Sequence, residues 1–318
     1  MASPSPGRRI KPPALRQGDT IAIVAPASHF NPQEFEAGCC RLREMGYKPI
    51  YSDAIYDRDL YFAGSAERRR HELDEMLVRN DIGAVMVARG GYGSNYLLER
   101  MDVRKYSPKI LIGYSDLTTL LTHVSDAAGW VTFHGPMVAK DFARPDGVDL
   151  SSWQAVVEGR GNGVVRFSQA AGLKPLAPGS AEGTLYGGCL SMLVASLGTP
   201  YEIRTADTIL FIEDVATKPY QIDRMLMHLK LAGKFREVRG IVFGEMLDCV
   251  QAPNQGYTLE DVVMRVVGEL GVPVAFGLRS GHVSAFNRTL PIGIRAMLNV
   301  AGSQVVLETL EASVAGYV

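Results

Sequence analysis

Nowhere in the 318-residue sequence does an apolar run approach the 18 or so residues that span a bilayer, which excludes a helical membrane protein. Lopsided charge is missing too. Lys+Arg 33 against Asp+Glu 34 leaves a net charge of -1, and a cut near residue 145 leaves 19 basic and 17 acidic residues before it, 14 and 17 after. Neither half has the basic excess that would recruit nucleic acid or an anionic membrane surface. Cysteine is scarce: Cys39 and Cys40 are neighbours, Cys189 and Cys249 sit in apolar surroundings, and no Cys-x-x-Cys spacing occurs. Buried free thiols are therefore expected, with no disulfide framework or metal knuckle. The first 13 residues are Ser/Pro-rich, carry Arg8, Arg9 and Lys11, and lack the apolar core of a secretory signal. A flexible leader over 1–17 and a cytoplasmic protein are the expectation. Hydrophobic residues at 47% and charged residues at 21% leave no room for disorder as the main state.

What is present is alternation. Short apolar runs such as Thr20 to Ala25, Ile82 to Ala88 and Ile110 to Gly113 read as strands covered on both faces of a parallel sheet. Helical stretches separate them: one opens at Asn31-Pro32-Gln33-Glu34 and stops at Gly46, another opens at Ser65, and a third runs from Asp116 to Gly129. The order predicts an α/β fold whose N-terminal part, 18–143, is a doubly wound parallel sheet. Residues 144–182, rich in Gly and Pro, are expected to connect it to a smaller mixed α/β domain over 183–318. That second part predicts a helix over 187–197, strands at 208–212, 240–244 and 274–277, helices at 219–232 and 259–270, and a terminal hairpin turning at Ala301-Gly302.

Ligands of parallel α/β sheets gather outside the carboxyl ends of the strands, so the residues that follow each strand are the candidates. Ser115 follows a four-residue strand ending in Gly113, and a helix begins at once with Asp116. This is the context of a nucleophile elbow, although Leu117 stands where Gly-x-Ser-x-Gly needs its second glycine. Capping the helix is an equally natural task for that serine. Glu213 ends a second apolar strand and either pairs with a buried imidazole or faces water at the sheet edge. His282, in Arg279-Ser280-Gly281-His282, follows a third strand; His134, in Phe133-His134-Gly135-Pro136, is the competing base. Ser, Glu and His at three strand ends suit a nucleophile, an orienting acid and a general base. The loop Arg89-Gly90-Gly91-Tyr92-Gly93 lacks the spacing of nucleotide-binding glycine loops. Its amides either cradle a phosphate or form half of an oxyanion hole, with the Asp116 amide as the other half.

The segments IAIVAPAS at 21–28, 88–93, Ile112-Gly113-Tyr114-Ser115-Asp116, Phe133-His134-Gly135-Pro136, Gly187-Gly188-Cys189-Leu190, Phe211-Ile212-Glu213-Asp214, Tyr220 to Arg224 and Gly281-His282 occur in one order. Together they resemble the LD-carboxypeptidase family, serine peptidases that include muramoyltetrapeptide carboxypeptidases and microcin C self-immunity hydrolases. The resemblance implies a class I glutamine amidotransferase-like, or flavodoxin-like, N-terminal domain and a Ser115–Glu213–His282 triad in the cleft between domains. It also implies oxyanion amides at Gly91 and Asp116. Arg89 and Tyr92, beside that loop, are the expected substrate contacts. A homodimer acting on a murein tetrapeptide, with neither a metal nor an organic cofactor, completes the implication. A peptide–nucleotide antibiotic hydrolase and a non-catalytic ligand sensor are the alternatives.

Overall fold

The structure is a computed structural model that describes residues 9–250 and 254–316. Its first sheet is built from β1 (Thr20–Val24), β2 (Lys48–Ile50), β3 (Ala84–Val87), β4 (Ile110–Gly113) and β5 (Thr132–His134), in the spatial order β2-β1-β3-β4-β5 and all parallel. This is the 2-1-3-4-5 order of doubly wound flavodoxin-like sheets. The crossovers include α1 (Pro32–Glu44), α2 (Ala66–Val78), the single turn α3 (Asn95–Leu98) and α4 (Thr118–Ala128). Asn31 caps α1 by accepting the Gln33 and Glu34 amides, and Gly129 closes α4 in the left-handed conformation, as the local sequence predicts.

The second sheet is larger and mixed. It comprises β6 (Arg166–Phe167), β7 (Lys174–Ala177), β8 (Gly179–Cys189), β9 (Thr208–Glu213), β10 (Gly240–Gly244) and β11 (Val274–Leu278), then β13 (Arg295–Ala301) and β14 (Gln304–Thr309). Strands β8 to β11 are parallel, and antiparallel strands close both ends. Between β13 and β14 the chain turns at Gly302-Ser303, one residue beyond the expected position. The remaining strand, β12 (Leu290–Ile292), leaves this sheet and pairs antiparallel with β5 at the edge of the first. Helices α6 (Leu190–Ala195), α7 (Pro219–Leu231) and α8 (Leu259–Val267) pack on the second sheet. No helix among the described residues is long and apolar enough to cross a membrane.

Several further expectations change. Residues 144–182 are not a bare connection: they hold α5 (Leu150–Val156), β6, β7 and the start of β8, and Trp153 within them is fully buried against Phe142 and Tyr47. The helix α5 spans only seven residues, too short for its period to stand out, and β6 and β7 are held by pairing with β14 and β11 far along the chain. Residues 9–17 are anchored, since Ile10 bridges to Trp130, Pro13 to Ala315, and Leu15 is buried; the first eight residues lie outside the description. Residues 187–189 extend β8 rather than begin a helix, because sheet pairing with β9 continues through Cys189 opposite Glu213. Of the four thiols, Cys39, Cys189 and Cys249 are buried and free, whereas Cys40 is exposed.

Candidate active site

The two sheets meet where β4 and β9 end. Ser115 leaves β4 with φ +66°, a left-handed conformation costing a residue with a Cβ about 1–3 kcal/mol. That strain turns the chain sharply into a helical turn over 115–117 that leads directly into α4. Tight neighbours hold the turn. A Cβ on Gly90 would stand 2.8 Å from the Ser115 Cβ and 3.1 Å from its Oγ, so the glycine loop lies directly against the hydroxyl. Ser94 clamps loop to elbow: its N–H donates to Asp116 Oδ2 (2.7 Å) and its Oγ–H to the Asp116 carbonyl (2.7 Å). Ser28 Oγ accepts the Tyr92 amide (3.1 Å), and Gly91, at φ +100°, has no room for a side chain beside Ser28. Arg69, almost fully buried, donates to the carbonyls of Gly64, Pro26 and Gly93 and so ties three strand-end loops together.

From the other sheet, Glu213 reaches the same place with no solvent exposure. Glycine makes the space: a Cβ on Gly244 would sit 2.6 Å from the Glu213 Cβ, and one on Gly281 would sit 2.7 Å from the Glu213 Cδ. Glu213 Oε2 accepts the His282 backbone N–H (3.0 Å) and lies 2.8 Å from His282 Nδ1. Burial pushes the Glu213 carboxyl up, but His282, with His134 beside it, outweighs burial and holds it well below the usual carboxylate range. Burial also pulls His282 down; the Glu213 charge and hydrogen bond overcome this, and the net shift is upward. Each partner stabilises the charged form of the other. The Tyr114 ring, one residue before Ser115, stands edge-on to the His282 ring with centroids 5.0 Å apart.

The close approach of the two halves depends on Gly188. A Cβ there would lie 2.6 Å from Thr118 Oγ1, and that hydroxyl accepts the Cys189 N–H (3.0 Å) at the first turn of α4. Further along the same interface the Tyr186 hydroxyl donates to Asp126 (2.7 Å).

Of the residues named from sequence, Ser115, Asp116 and Gly91 belong to the turn and loop beside β4 and Glu213 pairs with His282, the two groups being linked by the Tyr114–His282 ring contact; His282 rather than His134 takes the shorter contact with Glu213. Ser115 Oγ makes no hydrogen bond among the described residues; with Nδ1 engaged by Glu213, Nε2 is the His282 nitrogen left to accept a proton. Arg89 is exposed and donates to the His29 carbonyl (3.2 Å), while the Tyr92 ring lies in an exposed aromatic group with Tyr61 and Tyr96. Sequence reasoning passed over Arg69, and it gave Ser94, inside the candidate segment 89–95, no role. Arg69 stands within Arg68-Arg69-Arg70, which reads as a solvated helix face, so only the packing reveals it.

One set of side chains has the donors for a soft cation: ligand atoms of Cys189, Glu213 and His282 all lie within 4.8 Å of one another. Burial pushes the Cys189 thiol well above its ordinary value, and a cation there would have to displace the His282–Glu213 hydrogen bond. The arrangement suits proton transfer better than coordination.

Known proteins are similar to this chain along most of its length. The family model for the LD-carboxypeptidase N-terminal domain matches residues 21–135 and that for the C-terminal domain matches 182–298. A Bacillus subtilis protein named "Probable murein peptide carboxypeptidase" is 37% identical over 94% of both chains. The Escherichia coli microcin C7 self-immunity protein MccF is 29% identical, covering 90% of this chain and 92% of its own. The crystal structure of muramoyltetrapeptide carboxypeptidase from Oxalobacter formigenes superposes with a TM-score of 0.81 at 28% identity, over 92% of this chain and 99% of that one. With a strained serine at one sheet end, a buried Glu–His pair at another, and both domain models matched in order, the chain belongs to the LD-carboxypeptidase family.

Proposed function

We propose that the protein is a serine-type LD-carboxypeptidase that releases the terminal D-alanine of murein tetrapeptides through an acyl-enzyme. The observation that carries this reading is the fully buried Glu213 carboxylate, 2.8 Å from His282 Nδ1, with the His282 ring 5.0 Å from that of Tyr114, the residue before a serine held at φ +66°. His282 Nε2 takes the Ser115 proton as Oγ attacks the carbonyl before the D-residue, and Glu213 orients the ring and stabilises its cation. The amides of Gly91 and Asp116 receive the developing oxyanion. His282 then returns the proton to the leaving amine, and water, activated by the same imidazole, hydrolyses the ester. Arg89, exposed beside the glycine loop, is the proposed partner of the terminal carboxylate, and the Tyr92 ring flanks it. A homodimer located in the cytoplasm, acting in cell-wall peptide recycling, belongs to the same reading.

Both tryptophans, Trp130 and Trp153, are buried, so neither offers a face on which a nucleobase could stack; this favours the murein peptide over a peptide–nucleotide antibiotic. The test is mass spectrometry of a murein tetrapeptide, and in parallel an aminoacyl-sulfamoyl adenosine, incubated with the wild-type protein and with Ser115→Ala. Release of D-alanine by the wild type alone is expected. Equal release by Ser115→Ala, or turnover of the nucleotide conjugate alone, would overturn the assignment.

A further inference from the structure

Glu213 has two oxygens, and the His282 contact accounts for one. The other, Oε1, has no hydrogen-bond partner, and neither has His134 Nε2, 3.7 Å away; both side chains are fully buried. The opposite face of the His134 ring decides what lies between them. Ser280 Oγ donates its proton to the Arg288 carbonyl (2.8 Å) and lies 3.0 Å from His134 Nδ1. A hydroxyl with its hydrogen committed offers only lone pairs, so His134 Nδ1 carries a hydrogen. A neutral ring in that tautomer would aim a bare Nε2 at a bare carboxylate oxygen, two acceptors facing each other in a dry interior. A second proton on Nε2 removes that conflict and turns the 3.7 Å approach into a buried ion pair.

We infer that His134 is a positioning residue: an imidazolium, fixed by Ser280, that holds the second oxygen of Glu213 and balances its charge. Glu213 is then a carboxylate shared by two histidines, and the inference rests on the triad reading above. Gly281, at φ +89°, permits the assembly, since a Cβ there would come 2.7 Å from both His134 Cε1 and Glu213 Cδ. The consequence concerns the base. A cation on the far side of Glu213 dilutes the carboxylate's pull on the His282 proton, which keeps His282 available as a base at lower pH than a Glu–His pair alone would allow.

The groups facing this cluster come from every neighbouring element. Phe211 from β9 (ring centroids 5.2 Å) and Tyr114 after β4 (5.9 Å) cover the His134 ring, and Cys189 ends β8 beside Glu213. Lys140 and Asp214 act on His282, while Asp141 acts on Tyr114. Burial pushes Tyr114 and Cys189 well above their ordinary values, so both stay neutral across the assay range.

The experiment is the pH dependence of kcat/KM on a murein tetrapeptide for wild type, His134→Asn and His134→Gln. Asn keeps a donor toward Ser280 and Gln a donor toward Glu213, but neither carries charge. Both are expected to move the acidic limb upward by about one pH unit, a roughly tenfold loss below the limb, with KM unchanged. An unmoved limb in folded variants overturns the inference; if Ser115→Ala remains active, the triad reading fails instead. Should the variants not fold, 15N-histidine NMR of the wild type decides, with the signal assigned by elimination against substitutions at the other five of the six histidines. Protons on both nitrogens of His134 at neutral pH support it, and a lone Nδ1–H refutes it.

Discussion

Gly90→Ala tests the site with one methyl group. Gly90 does not have a positive φ, so alanine suits its backbone and the effect is steric. The new Cβ would lie 2.8 Å from the Ser115 Cβ and 3.4 Å from the Tyr114 carbonyl. Carbon atoms rest at about 3.5–4.0 Å, so loop and elbow must part by roughly 0.7–1.2 Å. Neither side yields easily, because Ser94 locks the loop to Asp116 with two hydrogen bonds of 2.7 Å and Arg69 holds the Gly93 carbonyl. Displacing a nucleophile by about 1 Å costs on the order of 10² in rate, while overpacking costs about 1–3 kcal/mol of stability. The assay is kcat/KM for D-alanine release, read beside a thermal melt. Gly268→Ala is the control: its Cβ meets only the flexible end of Met264 at 3.3 Å, and full activity is expected. A folded Gly90→Ala enzyme with wild-type kcat/KM would refute the proposal that the Ser115 hydroxyl, against which the glycine loop lies, is the nucleophile.

Three other perturbations address charge and packing. His282 is raised above its ordinary 6.5, so kcat/KM should fall tenfold per unit as pH drops below a limb lying above 6.5. In Glu213→Gln burial acts without the opposing carboxylate, so the limb should move down and kcat/KM drop by about 10³–10⁴; a limb that stays in place contradicts the assigned pairing. The same pair also affects stability: its contribution from the raised His282 is complete below about 6.5 and fades as pH climbs through the folded-state value. Arg69→Met removes three buried charge-assisted hydrogen bonds and should cost about 3–5 kcal/mol in urea unfolding, and a loss under 1 kcal/mol would show that the loops hold without it.

The parallel core of the first sheet was legible because its strands are continuous apolar runs and its helices carry their own start and stop residues: Asn31 and Pro32 at one end of α1, Gly129 at the end of α4. The candidate triad was legible for a related reason, since Glu213 ends an apolar strand and Ser115 and His282 follow one within two and four residues. Less visible were segments whose conformation depends on distant partners. β12 leaves its neighbours in sequence to pair with β5, and 187–189 stay extended because β9 lies alongside; neither pairing has a local pattern.

Local chemistry thus determined the apolar strands and capped helices of the first sheet, and that a serine, a glutamate and two histidines sit at or just past strand ends. Tertiary structure decided which histidine takes which carboxylate oxygen, and that Arg69 lies inside rather than in water. The physical reason is range. Capping and periodicity act over a few residues, whereas the charge state of a buried carboxylate depends on groups 69 and 79 positions away in the chain (282 − 213 and 213 − 134), brought together only when two sheets close on a glycine-lined seam.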